Sequence, residues 1–213
     1  LTRIDGTTFR EMIRASRAWL QTNHHAVNAL NVFPIPDGDT GTNMLLTMQA
    51  ACEALEDSDS KSAADVAHML ASGALMGARG NSGVILSQIW RGLARGLKDV
   101  GQFGTKEFAE AMQCATEDAY RGVIQPVEGT ILTVIKDASA AATLAAAKED
   151  DLRDYLQQVA SACENSVDST PDLLPVLKQT GVVDAGGFGL QLIFEGMLRH
   201  LLGQPVDVAP ERD

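Results

Sequence analysis

The feature that most constrains this chain is a helical rhythm that runs almost end to end and breaks at four places rich in glycine and short polar residues. Apolar residues recur every three or four positions at Phe9, Met12, Ile13, Leu20, Val27 and Leu30, the spacing of one amphipathic helix face. The rhythm resumes at Met44, Leu45, Met48, Cys52 and Leu55, then at Val66, Met69, Leu70 and Gly73, then at Ile85, Ile89, Trp90, Leu93 and Leu97. Phe108, Met112, Ala115 and Ala119 mark a fifth helix, the alanine-rich stretch 131–148 a sixth, and Leu152, Leu156, Val159, Cys163 and Val167 a seventh. A last one carries Leu190, Ile193, Met197, Leu198 and Leu201. No run alternates as a strand does, and no period repeats. The expectation is an all-α fold, about eight helices joined by short loops as an up-and-down bundle or barrel.

Composition supports this. Hydrophobic residues make up 45% of the chain but aromatics only 5%, so the core is aliphatic and suits closely packed helices better than a β-sandwich. Local punctuation refines the helix ends. Ser62 with Asp65 forms a capping-box pattern, and Thr105 is the expected N-cap of the fifth helix. Thr170 and Pro171 are read as N-cap and first-turn proline of a short helix reaching about Gln179, closed by Gly181. Residues 203–213 hold two prolines and no periodicity, which predicts a frayed terminus or a linker to further domains after a domain spanning 1–202.

The net charge of −11, with no cluster of Lys or Arg, argues against nucleic acid and anionic membrane surfaces as partners. No apolar run approaches the roughly 18–20 residues that cross a bilayer, so no membrane insertion is expected. The first residues lack the basic-then-apolar order of a signal peptide. Cys52, Cys114 and Cys163 are odd in number and far apart, as small core residues of a cytoplasmic protein would be. The oligomeric state is open, a homodimer included.

The chemistry concentrates in the four interruptions. The first is NVFPIPDGDTGTNM, residues 31–44. Asp37 and Asp39 flank Gly38, which permits the tight turn that brings two carboxylates toward one point. Paired hard oxygens suit Mg²⁺, which takes one or two carboxylates and completes its shell with phosphate and water. Thr40, Thr42 and Asn43 then open a helix whose first amides suit phosphate. The alternative is a stiff loop in which Asp39 or Thr40 only caps that helix. The second is GARGNSG, residues 77–83, where Gly80 and Gly83 surround the donors Asn81 and Ser82; Arg79 is either a phosphate contact or a surface ion-pair partner. It is not a Walker loop, for the Lys-Ser/Thr ending is missing. The third, PVEGT at 126–130, again sets glycine and hydroxyl, Gly129 and Thr130, at a helix start, with Glu128 as a helix N-terminal charge. The fourth, TGVVDAGGFG at 180–189, carries Asp184 and Gly186 before the last helix; Asp184 either holds a ligand or caps that helix.

Together, residues 31–44, 77–88, 126–135 and 173–190 resemble the N-terminal kinase domain of bacterial fatty acid kinases, itself similar to the ADP-binding L subunit of dihydroxyacetone kinases. The resemblance extends from residue 1 to about 202. It implies an eight-helix barrel with Mg²⁺ and ATP or ADP at one end, and a pair of magnesium ions between the phosphates and the acidic loop. Asp37 and Asp39 then correspond to the metal ligands and to the residues on which phosphoryl transfer depends. Asn31 stands roughly where the dihydroxyacetone kinase pattern has a third aspartate, and so counts as a metal-ligand candidate. Thr40 stands where that subunit has histidine, which favours the fatty acid kinase branch. Asn81, Ser82 and Gly83 match the phosphate loop, Thr130 a threonine near the nucleotide, and Asp184 the loop near base and ribose. The implied reaction is transfer of the ATP γ-phosphoryl to a fatty-acid carboxylate presented by a separate fatty-acid-binding carrier protein, in phospholipid metabolism. Family members continue into further domains. The competing readings are a kinase of a small hydroxyketone such as dihydroxyacetone, and a module of a larger assembly that binds Mg²⁺-ADP without turning it over.

Overall fold

The computed structural model describes residues 1–207. Its helices are α1 (Gly6–Ala29), α2 (Thr40–Glu53), α3 (Ala63–Met76), α4 (Gly80–Gly96), α5 (Thr105–Arg121), α6 (Ile131–Ala146), α7 (Leu152–Leu173), α8 (Pro175–Thr180) and α9 (Ala185–Leu201). The described residues hold no strand, only an isolated antiparallel bridge between Ile4 and Phe103. No described helix is long and apolar enough to cross a membrane.

Neighbours in sequence pack as neighbours in space from α1 through α7, then α7 meets α9 and α9 returns to α1. Eight helices thus close a ring, and the short α8 is part of one connection. The fold is the expected up-and-down barrel with one extra turn of helix. Its interior is one continuous apolar cluster running through Phe9, Met12, Met44, Met48, Trp90, Phe108, Ile135, Tyr155 and Ile193.

The alanine and glycine content lets helices approach closely. A Cβ on Gly92 would lie 2.5 Å from Ala115 Cα, and one on Gly96 2.5 Å from Ala111 Cα. A larger residue at either place would force α4 and α5 apart. Cys52 and Cys163 are buried and Cys114 half-buried, all free thiols.

Two predicted ends moved. Ser62 caps α3 as expected, its Oγ accepting from Asp65 N at 3.4 Å. The N-cap of α5 is Gly104 rather than Thr105, because the Glu107 carboxylate reaches back to accept from Gly104 N at 2.8 Å. Pro171 does not open a helix but lies inside α7. Its missing N–H would orphan the Val167 carbonyl, and Thr170 Oγ1 donates to that carbonyl at 2.6 Å instead. The short helix starts one motif later, with Pro175 in its first turn, and Gly181 closes it at φ 70° as predicted.

The expected loose tail is also corrected over its described part. Arg199 lies over the Trp19 ring at 3.8 Å and donates to Pro205 O, and Thr22 Oγ1 donates to Val206 O, so residues 203–206 are held against α1 and α9. The tail from 208 to 213 lies outside the described residues.

An up-and-down ring decides where function can sit. The helices α2, α4, α6 and α9 all begin at one end, and the connections reaching that end are the four glycine-polar interruptions.

Candidate active site

These four connections enclose a cleft of about 590 Å³. Asn31, Asp37, Asp39, Thr40 and Asn43 line it from the first interruption, Gly80, Asn81 and Ser82 from the second, Thr130 from the third, and Asp184 and Gly186 from the fourth. The odd-numbered helices α1 to α7 bring their C-termini to the same end, so the helix dipoles largely cancel at a distance. What matters is which amides near the cleft remain unpaired.

At the start of α2 almost none do. Asn31 is buried, and its Oδ1 accepts from Asp39 N at 3.1 Å, Thr40 N at 3.1 Å and Thr40 Oγ1 at 2.8 Å, while its Nδ2 donates to Ile35 O at 2.9 Å. One turn earlier, Asn28 Oδ1 accepts from Thr42 N at 3.0 Å and its Nδ2 donates to Thr42 Oγ1 at 3.0 Å. Asn28 at the end of α1 and Asn31 just beyond it thereby fasten the acidic loop. The Phe33–Pro34 peptide is cis, and Gly38 turns at φ 69°. Asp37 and Asp39 are left exposed, and neither carboxylate takes a donor from the described residues. Asp39 is the N-cap of α2 by position but makes no side-chain cap.

Asn31 Oδ1 thus serves three donors, and in this structure Asn31 acts as a clamp on the loop. Thr42 turns to Asn28 and is not part of the cleft lining.

The start of α4 is the opposite case. Its N-cap, Arg79, makes no side-chain cap, and the amides of Gly80, Asn81 and Ser82 have no acceptor among the described residues. Gly80 sits at φ 62°, and a Cβ there would lie 2.4 Å from Asn43 Nδ2, so the two loops touch at this point. Gly83 is also required to be small, since its Cβ would meet Thr47 Oγ1 at 2.4 Å; it packs behind the cleft instead of lining it. The Arg79 side chain is exposed and reaches only Ala78 O, at 3.3 Å, outside the cleft lining.

On the far wall, Thr130 caps α6, accepting from Leu132 N at 3.3 Å and donating to Val127 O at 2.7 Å. Gly129 lies behind it at φ 82°, walled by Leu173 and Leu174, and does not line the cleft. Asp184 is buried and caps α9 through Gly187 N at 2.7 Å. Burial pushes its carboxyl up to about 6, against the pull of the Gly187 and Ile131 amides.

No Lys, Arg or His is among the lining residues. Asp37 and Asp39 are only a pair, for no group of three or more His, Cys, Asp or Glu gathers anywhere among the described residues. Sequence reasoning missed Asn28, the apolar lip of Phe33, Pro34, Ile35 and Val84, and the segment 122–125, whose Ile124 is fully exposed. The Ile124 signal was slight: an isoleucine beside Gly122, just beyond the periodic run of α5.

The sequence profile of the DAK2 domain matches residues 34–199, from the acidic loop to the end of α9. The chain belongs to the DAK2 domain family. This DAK2 domain is 49% identical over 203 residues to the protein YloV of Bacillus subtilis, covering 95% of this chain and 37% of that protein. It is 44% identical over 206 residues to the uncharacterized protein SSP1546 of Staphylococcus saprophyticus, covering 97% of this chain and 37% of the other. The chain therefore spans little more than a third of the length of these relatives. Among solved structures, the dihydroxyacetone kinase of C. freundii in complex with AMP-PNP and Mg²⁺ superposes with a TM-score of 0.66 at 18% identity, over 89% of this chain and 33% of that one. The native form of that enzyme gives 0.60 at 15% identity. The DAK2 domain shares their fold.

Proposed function

We propose that this domain binds a Mg²⁺-nucleotide in the cleft and, within its full-length protein, transfers the γ-phosphoryl of ATP to a fatty-acid carboxylate held by a carrier protein. The observation that carries the reading is the charge layout of the cleft: two exposed, unpartnered carboxylates, three free amides at the start of α4, and no basic side chain. A polyphosphate alone would meet repulsion from Asp37 and Asp39. A polyphosphate with divalent cations fits, because the carboxylates face the cations and the α4 amides face the phosphate oxygens.

Asp37 and Asp39 would hold the metal, which when bound neutralises phosphate charge and aligns the transferring group. The Asn28 and Asn31 clamp fixes where those carboxylates stand. Gly80, Asn81 and Ser82 offer donors to the phosphates, and Thr130 and Asp184 face the ligand from the opposite wall. In the transfer, the bond from the γ-phosphorus to the ADP oxygen breaks and one to an acyl carboxylate oxygen forms, giving acyl phosphate and ADP. The acceptor is already an anion, so no general base is needed, in keeping with a cleft that has no His or Cys. Positioning and charge neutralisation suffice for such a step. The exposed apolar residues Ile35, Val84 and Ile124 lining the same cleft suit an acceptor with a polar reacting end and an apolar remainder.

The test is made on the full-length protein with Mg²⁺-ATP and a carrier loaded with fatty acid, trapping acyl phosphate with hydroxylamine. Acyl hydroxamate is the expected product. Phosphorylation of dihydroxyacetone in its place would move the acceptor to a hydroxyketone, and nucleotide binding with no transfer to either would leave a non-catalytic module.

A further inference from the structure

Behind the cleft's far wall lies a cluster that the proposed reaction does not use. Glu128 is exposed yet collects three donors: Tyr120 OH at 2.9 Å, Thr133 Oγ1 at 2.6 Å and Lys136 Nζ at 2.7 Å. Lys136 Nζ also lies 5.8 Å from the centre of the Tyr120 ring. The Lys136 ammonium first, and then the Thr133 hydroxyl, hold the Glu128 carboxyl below the usual carboxylate range. As a stabilising device this is weak, because an exposed ion pair contributes little to folding.

Its geometry has another consequence. Thr133 is buried, and its single hydroxyl both donates to Glu128 and accepts from Gly129 N at 2.8 Å. A hydroxyl has one proton, so giving it to Glu128 leaves a lone pair turned toward the Gly129 amide. Without Glu128, the hydroxyl is free to rotate and give its proton to water, its lone pair no longer held toward the Gly129 amide, and the hold on Gly129 would loosen. Gly129 sits at φ 82° with Leu173 and Leu174 close against it, a left-handed turn that the Thr133 hydroxyl helps to hold. The next residue is Thr130, which opens α6 and lines the cleft. Tyr120, from α5, ties the other side of the 122–128 connection to the same carboxylate.

We infer that Glu128 is a positioning residue for the ligand in the cleft: through the Thr133 hydroxyl it sets Gly129 and Thr130, and with Tyr120 it fixes the connection carrying Val127 and Ile124. It does not touch the ligand itself. The inference rests on the Mg²⁺-nucleotide reading of the cleft for its functional consequence, and on the hydrogen-bond relay for its structural one.

Two measurements on the full-length protein separate these. Calorimetry with Mg²⁺-ADP should show Glu128→Ala binding about tenfold more weakly, the effect of losing a charged hydrogen-bond acceptor, with an almost unchanged melting temperature. Glu128→Gln, whose amide oxygen still accepts from Thr133 while its NH2 can donate to the Tyr120 hydroxyl, should recover most of the affinity. Without nucleotide, amide hydrogen exchange at residues 129–132 should be faster in Glu128→Ala than in wild type and restored in Glu128→Gln. Wild-type protein that binds no Mg²⁺-nucleotide would overturn the reading of the cleft, while the exchange experiment would still judge the relay. Unchanged exchange in Glu128→Ala, or affinity within about twofold of wild type, overturns the inference. So does a loss of affinity that tracks melting temperature and is not rescued by glutamine.

Discussion

The loops that open α2 and α4 meet at Asn43 and Gly80, and they are built in opposite ways. The α2 loop is largely tied: Asn28 and Asn31 occupy the amides of Asp39, Thr40 and Thr42, leaving two bare carboxylates as its main available chemistry. The α4 loop is open: no side chain caps it, and its first three amides have no partner among the described residues. One loop presents fixed negative charge and the other unspent donors. A ligand that is cationic toward the first and anionic toward the second satisfies both, and a metal-polyphosphate is such a ligand. The comparison also shows that a helix start need not be an anion site. What the neighbouring asparagines leave unpaired decides it.

The largest way to break the comparison is to remove the bare charge. Asp37→Ala and Asp39→Ala should each lower phosphoryl transfer by at least about 100-fold. Both residues are exposed and make no hydrogen bond through their carboxylates, so melting temperatures should stay within about 2 °C. Full activity in both variants would remove the carboxylates from the mechanism, and unfolding of both would make the loop a purely structural element.

The open loop is probed by Gly80→Ala. The new Cβ must sit at positive φ and displace Asn43 Nδ2, so the expected cost is about 1–2 kcal/mol in stability. Mg²⁺-ADP affinity should fall by about tenfold, because the first amides of α4 shift. Wild-type affinity, measured by calorimetry, would show that those amides do not bind the ligand.

For the tied loop, Asn31→Ala removes a buried acceptor from three donors and should cost about 2 kcal/mol in chemical denaturation. Its effect on transfer should be milder than that of either aspartate variant, since the carboxylates survive with looser placement. A loss of transfer equal to theirs, at unchanged stability, would return Asn31 to the metal shell.

These contrasts mark what the sequence could convey. The barrel was legible because its signal is periodic and repeated: Phe9, Met12, Ile13 and their counterparts in later helices each fall on a buried face. The four interruptions were legible because glycines and short polar residues cluster there, between apolar helical runs. Partnership across elements was not. Asn28 lies in a helix interior by pattern, and its grip on Thr42 depends on how α1 meets α2. Pro171 misled for a related reason: Thr-Pro usually opens a helix, but here the Thr170 hydroxyl takes the Val167 carbonyl and its oxygen also accepts from Asp184 N. Glu128 looked like a dipole charge, and only the fold shows Tyr120 and Lys136 converging on it.

The smallest expected effect concerns the far wall. Asp184 has its folded-state value raised to about 6 from the ordinary 3.8, so folding favours its neutral form. Its contribution is therefore fully present below about pH 4 and is lost as pH rises through 6. Asn in its place keeps an acceptor for Gly187 N and carries no charge. Melting curves from pH 4.5 to 7.5 should show the stability of Asp184→Asn, relative to wild type, rising by a few degrees across that range. A difference that stays flat would mean that Asp184 is not titrating there.

The central claim is that the two loops share one ligand whose cations sit on the carboxylates. Titration calorimetry of ADP into the full-length protein, with saturating Mg²⁺ and then with chelator, tests it most directly. The account predicts micromolar-scale binding with Mg²⁺, at least about 30-fold weaker binding without it, and weak binding by Asp37→Ala and Asp39→Ala under both conditions. Equal affinity with and without Mg²⁺, or no binding of any purine nucleotide at saturating Mg²⁺, would contradict it.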